Sequence, residues 1–390
     1  MSRTVVVLGA GTGGLTTASL LREMLDPDDR IVVVDRCLKA AQGLSLLWIM
    51  RGWRSSDQVM HTPDRLNSLD VDVVESEVGR IDLAGRSVVT AAGEIGYDAL
   101  VIALGAELRP QGLLGFPEAV SVGRAGEFYT VDGALAVHDQ LSRLRGGRLA
   151  FVVAAMPFKC PAAPYEGALL AADLLAERGV RADVEIDFYT PEPLPMPVAG
   201  PAVGKRLAAL LAERDIEYHP LTPIERVDPG GELRFADGSR AAFDYLIAIP
   251  PHGAPRPVVE AGFSAAGWIP VDPRTLTTAE EGVWALGDVA LVTLANGKPL
   301  PKAAVFARGQ AAAVASGVAR YLGIDIETTE FNGDGYCYVE AGGGLAAKGA
   351  GNFYTEPAPT VTLTEPSAES HVEKEEEEIG WISRWSGADV

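Results

Sequence analysis

Thr4-Val5-Val6-Val7-Leu8-Gly9-Ala10-Gly11-Thr12-Gly13-Gly14 is the stretch whose reading decides the fold. A short β-branched run stops at a G-x-G-x-x-G turn, and a helical pattern from Leu15 to Leu25 follows. Ile31 to Val34 gives a second buried strand, so the spacing predicts a βαβ unit. Gly9 permits the tight turn, Gly11 lets the backbone approach a pyrophosphate, and Gly14 lets helix pack on strand. A diphosphate would rest on free N–H groups at the positive end of that helix. Asp35 closes the second strand, where a carboxylate accepts hydrogen bonds from an adenosine ribose. A nucleotide site is expected here.

Outward from that unit, a meander runs from about Val71 to Val89, and the apolar run Ala99 to Ala103 ends at Leu104-Gly105. A second α/β stretch begins near Arg148 with Leu149 to Ala154. It passes through a helix from Ala168 to Arg178 and reaches the strand Val184 to Tyr189. Pro191 to Pro201 is too rich in proline for a ladder and reads as a loop. Tyr245 to Ile249 reads as the strand that returns the chain to the first domain. The expected fold class is α/β, with two Rossmann-like dinucleotide-binding domains and a small C-terminal region. The first domain is expected over 1–107 and 245–325, the second, carrying Cys160, over 108–244. The C-terminal region, 326–390, carries Cys337 and an acidic tail.

A chain of 390 residues with 47% hydrophobic and 22% charged residues is globular and holds two or three domains. A net charge of −20 argues against nucleic acid and against an electrostatic grip on anionic lipid. No apolar run reaches the roughly 18 residues that a membrane span needs. The start runs straight into a strand and leaves no room for a signal peptide, so a cytoplasmic location is expected, peripheral to a membrane at most. Cys37, Cys160 and Cys337 are too few for a disulfide framework, and no metal site is expected. Glu375 to Glu378 reads as a solvated helix face. Ile379, Trp381, Ile382 and Trp385, at helical spacing beside it, read as an anchor of the terminus to the body rather than as a lipid insert.

Two later segments choose between NAD and FAD. Tyr97-Asp98-Ala99-Leu100-Val101-Ile102-Ala103-Leu104-Gly105-Ala106 resembles the strand that returns beneath the flavin in flavoproteins with two dinucleotide domains, the glutathione-reductase-like group. Leu276-Thr277-Thr278 through Val283-Trp284-Ala285-Leu286-Gly287-Asp288-Val289-Ala290 resembles the second FAD motif of that group. The resemblance implies FAD, with Gly105 and Gly287 at close approaches and Asp288 on a ribityl hydroxyl. It also implies that the helix after Lys302 points its N-terminus at the flavin pyrimidine, where the dipole stabilises the anionic reduced ring.

The second domain lacks a matching cradle. Its first strand runs into Ala155-Met156-Pro157-Phe158-Lys159-Cys160-Pro161-Ala162-Ala163-Pro164-Tyr165-Glu166, with no G-x-G-x-x-G, and its second strand ends at Thr190 instead of an acidic residue. Direct oxidation of NADH is not expected. Pro161 suits a first helical position, which places Cys160 at or next to the N-cap, where the helix dipole and Lys159 would depress its pKa. A buried structural thiol is the other reading.

Phe158-Lys159-Cys160-Pro161 through Pro164-Tyr165-Glu166 resembles the K-C-x-x-A-P-x-[EK] signature of sulfide:quinone oxidoreductases and flavocytochrome c sulfide dehydrogenase flavoprotein subunits. With the FAD motifs and Pro301-Lys302, the likeness covers roughly 4 to 340. It implies that Cys337, in Gly335-Tyr336-Cys337-Tyr338, pairs with Cys160. Hydrosulfide would then attack a disulfide or polysulfide bridge between them, two electrons would pass to FAD, and Glu166 would serve as base or proton relay. Two departures matter. The stretch Val120 to Tyr129 lacks a third cysteine found in the best-studied quinone-coupled members. Gly43 stands where exported, cytochrome-coupled members carry a flavin-linking cysteine, so the FAD is expected to be non-covalent; Cys37 falls too early and reads as structural. The leading expectation is oxidation of sulfide or a small persulfide with a quinone as acceptor, for which Leu44 to Met50 would line a channel or pack as core. A cytochrome or other soluble acceptor, an NADH dehydrogenase or disulfide reductase, and a non-catalytic FAD-binding interaction protein are the alternatives.

Overall fold

The computed structural model describes residues 2–264 and 267–386; the last four residues of the expected C-terminal region lie outside them. Val5, Val6, Val7 and Leu8 are fully buried, which requires cover on both faces of their strand and suits a parallel sheet between layers. That sheet has the order Val283–Ala285, Ala99–Ile102, Thr4–Leu8, Arg30–Asp35, Asp72–Glu75, all parallel. Val5 and Val7 pack toward the helices Thr12–Met24 and Ala304–Tyr321, while Val6 and Leu8 pack toward the antiparallel strands Val78–Asp82 and Ser87–Thr90.

The second sheet has the order Ala125–Gly126, Tyr245–Ile249, Gly147–Val153, Val184–Tyr189, Ile216–His219, again all parallel. The helices Val131–Arg143 and Ala163–Glu177 cover one face. The other face is covered by Phe116–Ser121 and the meander Ile224–Asp228, Glu232–Phe235, Arg240–Ala242. This corrects the expected boundary at 245. Tyr245–Ile249 does not return to the first domain; it pairs along its whole length with Leu149 to Val153. An apolar strand carries no mark of which sheet it joins, and the first sheet is completed instead by Val283–Ala285.

The C-terminal region is an antiparallel sheet, Asp334–Gly342, Leu345–Asn352 and Thr360–Leu363, followed by the helix Ala368–Ser386. Asp334–Gly342 lies against Ala163–Glu177 of the second domain and Ala304–Tyr321 of the first. The two domains and the C-terminal region thus meet around one space.

Candidate active site

At the first glycine turn the backbone is as close as it can be. A Cβ on Gly9, whose φ is +104°, would lie 2.3 Å from the Ala103 carbonyl oxygen, and one on Gly14 would lie 1.8 Å from that of Gly9. A Cβ on Gly11 would meet nothing within 4 Å, because Gly11 faces a cavity of about 460 Å³. Ala10 to Gly13, Gly105, Gly287, Asp288, Lys302 and Ala303 to Val305 line the same cavity. Two helices, Thr12–Met24 and Ala304–Tyr321, therefore open onto it at their positive ends, and neither start is capped by a side chain. Open N–H groups beside a side-chain-free approach are what a dinucleotide flavin requires, and the residues present fit one.

Gly9, Gly14 and Asp35 do not line the cavity. The Asp35 carboxylate accepts from the backbone N–H of Ala10 at 2.6 Å and of Cys37 at 3.0 Å, so it braces the turn itself. Lys302 is buried; its ammonium donates to the carbonyls of Asp288 and Ala290 and lies 3.8 Å over the Trp268 ring. Burial pushes it down to about 8, against the pull of Asp288, and burial raises Asp288 in turn.

The cysteine segment is stitched to this end by a backbone bridge. Lys159 pairs with Lys302, and Cys160 N–H donates to the Lys302 carbonyl at 2.6 Å. Cys160 has φ +53°, a left-handed conformation that costs a non-glycine residue on the order of 1–3 kcal/mol. The turn delays the helix to Ala163, with Pro164 in its first turn, so Cys160 is neither N-cap nor next to it. The expected depression of its pKa is overturned as well. Burial, then the Glu166 carboxylate, push Cys160 up to about 12, and the cation that opposes them is Lys374. Cys160 is nevertheless accessible, and it lines the cavity.

Cys337, on Asp334–Gly342, lines the same cavity as a half-buried thiol and is also pushed up to about 12, by burial, Cys160 and Glu166. Glu166 is buried, held by an ion pair with Lys374, and raised to about 7 by burial. Cys37, expected to be structural, is an exposed thiol whose contact is the Lys39 carbonyl at 3.3 Å.

The acidic tail is a solvated face only in part: Glu376 is exposed, Glu375 and Glu377 are half-buried and Glu378 is buried. In Ala368–Ser386, Lys374 and Glu378 are buried; Glu378 pairs with Arg54 at 2.8 Å, and Glu377 with Arg308 at 3.2 Å. Trp385 and Ile382 are buried, Trp381 partly so, and all three line the cavity beside Leu44, Leu46 and Leu47; Ile379 is exposed. Leu47 to Met50 pack as core. Lys374, Glu340 and His371 escaped the sequence reading. The signal was present: His371, Lys374, Glu378, Ile382 and Trp385 recur every three or four residues, the spacing of one packed helix face.

Away from the cavity, Asp187, Glu217 and His219 hold ligand-type atoms within 4.8 Å of one another on the second sheet. His219 and Asp187 already pair at 2.8 Å. In place of a ribose-binding acid, the second strand of that sheet leads to buried Thr190 and Glu192, and the Tyr165 hydroxyl donates to Glu192.

Residues 3–311 match the family described as pyridine nucleotide-disulphide oxidoreductase. The sulfide-quinone reductase of Aquifex aeolicus is 29% identical over 235 residues, 59% of this chain and 53% of that protein. The mitochondrial sulfide:quinone oxidoreductase of Mus musculus is 25% identical over 306 residues, 73% of this chain and 65% of that protein. The chain thus spans between about half and two thirds of the length of these curated relatives. The X-ray structure of the sulfide:quinone oxidoreductase from Aquifex aeolicus matches with a TM-score of 0.85 at 22% identity, over 98% of this chain and 92% of that one. The likeness to this group holds in sequence and, separately, in fold.

Proposed function

Because the chain belongs to the pyridine nucleotide-disulphide oxidoreductase family, we propose that it is an FAD-dependent oxidoreductase that oxidises sulfide through Cys160 and Cys337 and passes the electrons to a quinone. One observation carries this reading. A single cavity is lined by two uncapped helix starts and by both thiols, Glu166 and Lys374. The curated relatives named for sulfide and quinone support it.

FAD, when bound, supplies a two-electron acceptor between substrate and quinone. The chain's own part follows from its electrostatics. Enclosed thiols pushed up to about 12 are poor nucleophiles near neutral pH, so the attacking sulfur is the substrate's. Hydrosulfide bonds to one sulfur of a Cys160–Cys337 bridge; the S–S bond breaks, one cysteine holds a persulfide and the other leaves as a thiolate. Lys374 is the counter-charge for that thiolate, since it already lowers the pKa of both cysteines. Glu166 takes the persulfide proton.

The same reading puts the diphosphate on the helix start at Thr12, a ribose near Asp35 and a ribityl hydroxyl on Asp288. Gly43 bears no side chain to bond the flavin, so acid precipitation releases all the yellow colour to the supernatant; colour retained on the protein refutes non-covalent binding. Leu44, Leu46, Trp381, Ile382 and Trp385 form the apolar lining that favours a quinone over a cytochrome. Among the described residues no helix is long and apolar enough to cross a membrane.

The deciding experiment is anaerobic. Sulfide added to the yellow protein bleaches the flavin band, Cys160→Ser abolishes the bleaching, and NADH leaves the band unchanged. Bleaching by NADH with indifference to sulfide overturns the reading in favour of an NADH dehydrogenase or disulfide reductase.

A further inference from the structure

Behind the cysteines, a chain of polar side chains leads from the cavity to the surface through otherwise apolar packing. Glu166, 2% exposed, lines the cavity and is ion-paired to Lys374, 3% exposed. Lys374 lies 3.7 Å from Glu340, which is fully buried. Glu340 contacts Nδ1 of His371 at 2.9 Å, and the His371 side chain is 18% exposed. Trp48 Nε1–H donates to Glu340 at 3.1 Å, and the Lys374 ammonium lies 5.0 Å over the same indole. Four elements distant in sequence supply these groups: the helices Ser45–Arg51, Ala163–Glu177 and Ala368–Ser386 and the strand Asp334–Gly342.

Stability alone is a weak reason for such a cluster. Desolvating one cation and two carboxylates costs about as much as their attraction returns, and an apolar core of the same volume is often better. Chemistry supplies a stronger reason. Oxidation of hydrosulfide to bound sulfane sulfur releases two electrons and one proton, HS⁻ → S + H⁺ + 2e⁻. The electrons leave through the flavin to the quinone of the proposed function. Overall the reaction is HS⁻ + Q + H⁺ → S + QH2: the two protons that the quinone takes up enter where the quinone is reduced, while the persulfide proton is left deep in the cavity and has to be exchanged with solvent from there.

We infer that Glu166, Lys374, Glu340 and His371 form the path that carries this proton from the cysteines to solvent. This deepens the proposed function and rests on it. The persulfide S–H bond breaks and its proton goes to a Glu166 carboxylate oxygen. Lys374 gives one N–H proton to Glu340 and takes the proton of Glu166 in its place. Glu340 passes a proton to His371 Nδ1, His371 releases one from Nε2 to water, and a turn of the ring resets it. The midpoint distance of 3.7 Å is an ion pair that a small side-chain movement closes to a hydrogen bond. Other charges face the path from every side. Arg51 stacks on Trp53 and pairs with Asp173, Arg54 stacks on Trp48 and pairs with Glu375 and Glu378, and Lys348 pairs with Glu373. Each of these cations has its own carboxylate partner outside the path.

His371 is the link to test, because it is partly exposed and its ring meets Trp48 and Trp53 edge-on at 6.3 and 5.4 Å. Its removal leaves a pocket shaped for free imidazole. With the FAD-loaded full chain, His371→Ala slows sulfide-driven turnover at saturating sulfide by on the order of 10²-fold, the low end for a positioned proton carrier. Added imidazole restores the rate in a concentration-dependent way. Lys374→Met removes the ammonium that also faces both thiols, which imidazole in the His371 pocket does not replace, so its loss is not restored. If Lys374→Met fails to bind flavin, the His371→Ala result still decides. Unchanged turnover in His371→Ala, or a loss that imidazole does not touch, overturns the path while the sulfide reading stands. Absence of sulfide bleaching in the parent protein overturns both.

Discussion

The two parallel sheets share the order of four strands and differ in the edge strand beside them, which comes last in sequence in the first and first in the second, yet the turns after their central strands do opposite things. In the first, Thr4–Leu8 passes through Gly9, Ala10 and Gly11 into a helix that starts at Thr12 and opens onto the cavity. In the second, Gly147–Val153 is followed by residues 154–162 before the helix starts at Ala163, and the longer turn swings Cys160 across to the Lys302 backbone. The next strands differ in the same sense. Asp35 keeps its carboxylate at the turn, bracing Ala10. At the end of the matching strand, Thr190 is sealed under protein, with Glu192 and Tyr165 packed where a nucleotide ribose would need room. One four-strand order thus serves a flavin in one half and a thiol in the other. The difference lies in turn length and in what fills the space beyond the strand.

Breaking the first turn gives the largest effects. Gly14→Val drives a side chain into the Gly9 carbonyl and costs more than about 4 kcal/mol, the extreme end for a point change. Thermal unfolding and soluble yield report it. A Cβ at Gly11 meets no protein atom within 4 Å and the backbone there is ordinary and extended, so a Gly11→Val protein stays folded and loses its flavin. A folded, colourless Gly11→Val protein beside an unfolded Gly14→Val one separates the ligand approach from the packing role; a yellow Gly11→Val protein refutes the placement of the diphosphate.

The sealed end of the second sheet predicts a smaller, pH-dependent effect. Burial pushes Glu192 up to about 7, and its Oε1 has no hydrogen-bond partner among the described residues. A carboxyl whose folded pKa is raised gives stability that is whole below its unfolded value of 4.5 and drains away as pH rises through 7. Glu192→Gln removes that slope. Its stability relative to the parent rises by up to about 3 kcal/mol between pH 5 and 8. Parallel denaturation curves for the two proteins across that window would show that Glu192 carries no such penalty.

The smallest effect is expected where the two sheets are alike. Arg30 pairs with Asp72 at 2.6 Å and Arg148 with Glu185 at 2.9 Å, each across neighbouring strands and each in solvent. Arg30→Ala and Arg148→Ala each change stability by less than about 1 kcal/mol, and less still in high salt. A larger loss in one alone would show that its sheet depends on that edge.

Much of the cavity wall was legible because it is built from local turn chemistry. Gly11, Gly287 and Asp288 lie within short glycine motifs, Cys160 stands out by falling where such a motif is missing, and Glu166 by its place in the signature that the segment resembles. Tyr245–Ile249 was misplaced because five buried apolar residues fit either sheet equally well. The direction of the Cys160 pKa was misread for a related reason. A helix start and a neighbouring lysine are visible in sequence, whereas enclosure and a buried Glu166 facing the thiol are not. The run Glu375 to Glu378 misled because charge suggests solvent unless its partners, Arg54 and Arg308, are known to be near.

By itself, then, the order of residues determined the two nucleotide-type halves, the flavin-type glycine turns and the candidacy of Cys160 and Cys337. Turn conformation depends on side chains only a few residues apart, and that is what a sequence displays. The tertiary structure alone decided that both thiols share a cavity with Lys374, that their surroundings push their pKa up, and that Glu340 and His371 stand behind Glu166. Burial and charge–charge distance are sums over groups far apart in the chain, and they exist only once the chain has folded.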